Sequence, residues 1–192
     1  MTVPVTTKNN RLNGQPYTLA SLHSGFPGST GANELSGGGY AQQAISVNTA
    51  AGGRRALAAA AVFSVLATTV RVLGYWNTTT FADYMPNGGA TPKNFSCVVA
   101  SDLIVSTAHG YAADQKIVFI KGTPPGGLTE GATHYVTNPT ADSFTVSNTA
   151  GGATVNLTSA PSFGCQVGAI TEDVYGVPGT HTISTASWSE PD

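Results

Sequence analysis

Charge is the scarcest thing in this chain. Only 9% of its 192 residues are Asp, Glu, Lys or Arg, against ~25% in an ordinary soluble domain. The net charge is -2, and of the eight Lys and Arg only Arg54 and Arg55 are adjacent. No basic patch of the kind that tracks a phosphate backbone can be drawn, so nucleic acid is not an expected partner. Long apolar runs are also missing. The best, "ALAAAAVFSVLATTVRVLGYW" at 56–76, is broken by Ser64, Thr68, Thr69 and Arg71. It falls short of the ~20 apolar residues a membrane span requires, and no membrane insertion is expected. The start, "MTVPVTTKNN", has no apolar core of an export signal. Two cysteines are too few for a disulfide scaffold or a cysteine-only zinc site.

Catalytic and cofactor patterns are absent in the same way. "GFPGSTG" spaces glycines at 25, 28 and 31, but no Lys-Ser or Lys-Thr pair follows to meet a phosphate. Glycine-rich "GTPPGGLTEG" at 122–131 fails on the same ground and reads as a turn between two strands. There is no Gly-x-Ser-x-Gly elbow. His23, His109, His134 and His181 are far apart in sequence, and no His-x-His occurs. Glu172 and Asp173 are adjacent, so on a strand they point to opposite faces and cannot act as a pair. A reactive-thiol role for Cys97 or Cys165 would need an orienting base, and His109 is merely the nearest in sequence. No catalytic, cofactor or metal residues are nominated, and the chain is expected not to be an enzyme.

What the chain does contain is β-sequence. Short runs rich in Val, Thr and aromatics alternate with Gly, Pro and Asn turns, the pattern of an all-β sandwich or barrel. Strands are expected at 17–24, 40–48, 60–66, 69–77, 80–86 and 180–189. A short helix at 55–61, favoured by its alanines, is the alternative to the start of the third. Within 69–77, Val70, Val72, Gly74 and Trp76 share one face and Arg71, Leu73 and Tyr75 the other.

Between Asn94 and Ile170 the strands become shorter and the turns tighter: "FSCVVASDLIVS", "QKIVFIKG", "THYVTN", "SFTVSNT", "ATVNLT" and "FGCQVGAI". This predicts a β-sandwich parent, residues 1–94 with 171–192, carrying an inserted small β-barrel module at 95–170. Two tandem domains are the alternative. Cys97 and Cys165 sit on the first and last strands of the stretch. They are a candidate disulfide at its neck, closing a loop of 165 − 97 = 68 residues and worth ~4 kcal/mol by loop entropy. Two buried free thiols are the equal alternative.

Two resemblances divide the chain along the same line. "SLHSGFPGSTGANELSGGGYAQQAI" at 21–45, with "VRVLGYWN", "TFADYMPNGG" and "YGVPGTHTISTASWS", resembles a family of small tailed-bacteriophage tail-fibre or minor tail proteins. The second falls on Ala108-His109-Gly110, Asp114, Val118, Gly122, Pro125, Gly127-Leu128, Gly131, Tyr135-Val136, Asn138, Asp142-Ser143-Phe144 and Gly151-Gly152. It resembles a β-module of phage tail proteins classed with the first catalytic-cysteine half-domain of ubiquitin-activating enzymes, a small non-catalytic barrel. Likeness of fold carries no activity with it.

The resemblance implies a structural protein of the virion, either a tail fibre or appendage or a capsid decoration protein. Its partners would be capsid or tail proteins and further copies of itself, by analogy a trimer. The alternative is a carbohydrate-binding module for host surface glycan, with Tyr75, Trp76, Tyr84, Tyr111, Tyr135 or Trp188 as stacking platforms.

Overall fold

The computed structural model describes residues 3–88 and 91–189. The fold is mostly β. The chain divides into two compact units, Met1–Thr91 with Glu172–Asp192, and Pro92–Thr171.

The first unit begins with a helix that the sequence reading did not expect, α1 (Val5–Asn13). Its sequence, VTTKNNRLN, has no apolar stripe and buries only Lys8 and Leu12. Tertiary contacts hold it. Asn9 and Asn13, one turn apart, accept the backbone N–H groups of Gly53 and Ala50, each at 2.8 Å. Arg55 Nη1 donates to Leu12 O at 2.8 Å. The helix suggested at 55–61 does not form. Arg55 lies in strand β3, and Ala61 opens β4.

The strands of this part are β1 (Leu19–His23), β2 (Gln43–Ala44), β3 (Arg54–Ala56), β4 (Ala61–Val65), β5 (Thr68–Val70), β6 (Val72–Asn77) and β7 (Thr80–Pro86). The run read as one strand at 69–77 breaks at Arg71 because it changes partners. Its second half joins an antiparallel sheet in the order β2-β1-β6-β7, while its first half pairs elsewhere. In that sheet Ala20, Leu22, Leu73, Tyr75 and Met85 turn into the main core. Ser21, His23, Val72 and Gly74 turn to the other face, following the paired registers Ser21↔Gly74 and His23↔Val72.

The second unit holds β8 (Lys93–Asn94), β9 (Ser96–Val98), β10 (Leu103–Val105), β11 (Lys116–Ile120), β12 (Thr133–Thr137), β13 (Ser143–Ser147) and β14 (Gln166–Ala169). They make one antiparallel sheet in the order β8-β14-β11-β12-β13-β10-β9. The ladder is not closed. Its two edge strands are nevertheless consecutive in the chain, with Phe95 alone between them, and Ser106 Oγ, just past β10, donates to Asn94 O at 3.0 Å. The core is Ile104, Ile117, Phe119, Val136, Phe144, Val146, Leu157, Cys165 and Val167. "ATVNLT" is not a strand; it contributes a single bridge, Thr154 to Ser147.

The chain then returns to the first unit as β15 (Asp173–Tyr175), β16 (Gly179–Ile183) and β17 (Ser187–Ser189). These pair antiparallel with β5, β4 and β3, from Asp173↔Val70 through Phe63↔His181 to Ser189↔Arg54, with one-residue offsets between the segments. Two stretches far apart in sequence thus form one interrupted ribbon. Its inward side chains Ala61, Phe63, Val65, Val70, Ile183 and Trp188 share a core with the inward face of the four-stranded sheet.

Candidate functional site

The outward face of β6–β7 carries a row of half-buried aromatics. Trp76 meets Phe81 edge-on with centroids 5.0 Å apart, Phe81 lies parallel to Tyr84 at 6.2 Å, and Tyr84 meets Phe26 edge-on at 5.3 Å. The glycine-rich loop at 24–34 lies against this row. Gly31, at φ 79°, sits so close that a Cβ there would come 2.6 Å from the Trp76 ring. The loop is fastened by its own bonds: Asn33 Nδ2 to Phe26 O at 2.7 Å and Ala32 N to Pro27 O at 2.8 Å.

Beneath the row runs a buried polar chain. Trp76 Nε1–H donates to Ser21 Oγ at 2.8 Å, and Ser21 Oγ lies 2.8 Å from His23 Nε2. His23 Nδ1–H donates to Ala32 O at 2.8 Å. Ser21 and His23 are both fully buried, so this serine–histidine pair anchors the loop and does not face solvent. The pair was legible in principle, because residues i and i+2 of a strand share a face.

The aromatics nominated for stacking separate into three groups. Trp76 and Tyr84 join the row, together with Phe26 and Phe81, which the sequence reading missed. Tyr75 and Trp188 are buried in the core, in edge-on contact at 4.8 Å. Neither Tyr75 Oη nor Trp188 Nε1 has a hydrogen-bond partner. Tyr111 is half-buried with its hydroxyl on Val167 O at 3.2 Å, and Tyr135 is half-buried on β12.

The four histidines are all buried. His109 Nδ1 accepts from Tyr111 N at 2.9 Å, which leaves Nε2–H to donate to Ser143 O at 3.2 Å. His134 Nδ1 lies 3.0 Å from Asn148 Oδ1. His181 Nδ1 lies 3.1 Å from the Tyr175 hydroxyl and 3.6 Å from Asp173 Oδ2, while its Nε2 has no partner. A cavity of about 140 Å³ beside it is lined by Asn87, Asp173, Thr182, Ser184 and Thr185. Glu172 and Asp173 take different partners: Glu172 accepts from Arg71 Nε at 3.0 Å and Asp173 from Asn87 Nδ2 at 2.8 Å. Among the described residues no three His, Cys, Asp or Glu are grouped to hold a metal.

Burial holds the imidazoles of His23, His134 and His181 below their ordinary value. In the unfolded chain the same groups take up protons near pH ~6.5. Their stabilising contribution is therefore complete above that pH and is lost as pH falls through the folded values. Each group can remove up to ~1.4 kcal/mol per pH unit in that window. Urea midpoints at pH 7.5 and 5.0 are expected to drop clearly at the lower pH; equal midpoints would refute this.

Cys97 and Cys165, the candidate disulfide, are free thiols here. Cys165 lies inside the core of the second unit and Cys97 packs against that core from β9. Burial, reinforced by the nearby Glu130 charge, pushes the Cys165 thiol up to about 11. Because the thiolate is the reactive form, iodoacetamide at pH 8 is expected to label Cys165 only after denaturation. Equal labelling of the native protein, read by peptide mass spectrometry, would contradict this burial.

The loop "GTPPGG" is hydrogen-bonded to a second loop. Thr123 O accepts from Ser162 N at 2.9 Å, Thr123 N donates to Ser162 Oγ at 2.8 Å, and Gly126 O accepts from Thr158 N at 3.0 Å. Gly127, at φ 97°, lies against the chain at Asn156, whose carbonyl oxygen would be 2.4 Å from a Cβ. No helix among the described residues is long and apolar enough to cross a membrane. No family, no curated protein and no solved structure matches the chain.

Proposed function

We propose that this chain is a structural, non-enzymatic component of a tailed-bacteriophage virion, a tail-fibre or appendage subunit or a capsid decoration protein. It works as a homo-oligomer through contacts with its own copies and with other virion proteins. The observation that carries the reading is the ribbon of β3–β5 with β15–β17. It presents Val62, Leu66, Val174 and Val177 to solvent at 53%, 41%, 74% and 71% exposure. From Ala56 to Val70 and from Val174 to Ser189 it contains no Asp, Glu, Lys or Arg. Exposed apolar residues in a charge-free setting mark surfaces that become covered.

In the same reading the first unit is a β-sandwich, supported by the core shared between the four-stranded sheet and the ribbon. The second is a small barrel, supported by the one-residue link between its edge strands. Immunogold labelling of particles, or a particle reconstruction, tests the reading. The chain is expected at a regular position on head or tail, and its absence from particles would refute it.

The aromatic row favours a second reading, a carbohydrate-binding module for host surface glycan. Contiguous half-exposed rings on one sheet face suit sugar stacking. A glycan array with the isolated protein decides, and absence of binding at millimolar glycan would end this reading.

A further inference from the structure

The ribbon has one buried and one exposed face, and the register assigns each side chain. The pairs Phe63↔His181 and Ala61↔Ile183 face the core, so Val62↔Thr182 and Ser64↔Thr180 face out. Beyond the offset, Thr69↔Val174 continues the outward side, and Val177 lies in the turn between β15 and β16. Along β4–β5 and β15–β16 the exposed side is therefore valine, leucine, threonine and serine; the exposed Arg54 lies beyond this strip, on β3. The ribbon's only histidine, His181, faces inward and is 4% exposed.

We infer that this outward face is the contact between two copies of the chain, the same strip on each meeting about a two-fold axis. Charge argues for that occupant. A partner with ionised groups opposite this strip would have to bury them without a counter-charge, which costs far more than it gains. The strip of a second copy brings none. Hydroxyls argue for it as well. A charged row facing its own copy repels, whereas Thr and Ser each donate and accept, so Ser64, Thr69, Thr180 and Thr182 of one copy can pair with members of the same set on the other across a two-fold axis. Size sets the strength of the contact. Residues 61–70 and their partners make a ribbon ~33 Å long and, at two strands, ~10 Å wide, which is less than the ~800 Å² per partner of a standard interface, so the contact is a weak one. The valines and leucine would form its apolar centre and the hydroxyl residues its rim.

This inference rests on the reading of the chain as an assembling subunit, and its test is separable from that reading. The experiment is sedimentation velocity over a concentration series on the full chain, the double variant Val62→Lys/Val174→Lys and the control Val98→Lys. Val98 is 47% exposed on β9 in the other unit. Circular dichroism of each checks folding. The wild type and the control are expected to dimerise alike. The double variant sets four like charges against one another and is expected to stay folded with a dimer dissociation constant raised about tenfold or more. A wild-type monomer at every concentration overturns the inference, as does a folded double variant that dimerises as tightly as wild type. If the double variant fails to fold, Val62→Thr/Val174→Thr takes its place, and unweakened dimerisation of that variant is equally fatal. Particles that carry the chain while it remains monomeric sink this contact alone. A dimer absent from particles leaves the contact and sinks the virion role.

Discussion

Gly74→Val is expected to destabilise the first unit by roughly 3 kcal/mol or more. Gly74 stands between Ser21 and Tyr84 in the sheet. A Cβ there would lie 2.4 Å from His23 Nε2, 2.4 Å from Ser21 Oγ and 2.9 Å from Phe81 Cε2. Ser21 and His23 are fully buried, so they have no outward route of escape. Displacing them breaks the Trp76–Ser21–His23–Ala32 chain and leaves buried polar atoms unpaired. The chain's two tryptophans, Trp76 and Trp188, both lie in the first unit, so fluorescence-detected denaturation reads this unit directly. Gly176→Ala is the control: no atom lies within 4 Å of its Cβ position, and a change within ~0.5 kcal/mol is expected. A Gly74→Val midpoint equal to wild type would disprove the packing argument.

Phe119→Ala should have a comparable effect in the second unit, about 3–5 kcal/mol. Phe119 is fully buried on β11 and touches Phe95 and His134 edge-on at 5.3 and 5.8 Å. Through Phe95 it braces the single residue that joins the two edge strands of the sheet. The second unit contains no tryptophan, so the measurement is amide hydrogen exchange across β11–β14. Protection is expected to fall there while the tryptophan-detected transition stays near its wild-type position. Unchanged exchange in β11 would overturn the assignment of Phe119 as the centre of this core.

The strands with strong local signals were legible from sequence. "TFADYMP" is β7 residue for residue, and the alternation at 72–76 separates Leu73 and Tyr75 from Val72 and Gly74 as the period of two requires. Helix α1 was not legible. Its polar residues carry no periodic signal, and the groups that hold it, the Gly53 and Ala50 N–H groups that Asn9 and Asn13 accept and the Arg55 donor, lie more than 35 residues away in the chain. "ATVNLT" shows the converse: good strand composition, but only one bridged neighbour to pair with.

The candidate surfaces divide in the same way. Scarcity of charge, the missing phosphate and nucleophile patterns and the turn character of "GTPPGG" are properties of composition and short-range spacing, which sequence alone determines. Which aromatics reach the surface is not such a property. Tyr75 and Trp76 are neighbours, yet one is sealed in the core and the other joins the exposed row, because a strand sends alternate side chains to opposite faces and only the sheet's packing decides which face is covered. The outward strip is also a tertiary product. Val62 and Val174 are separated by more than a hundred residues and share one surface only because the returning chain pairs β15 with β5 and β16 with β4.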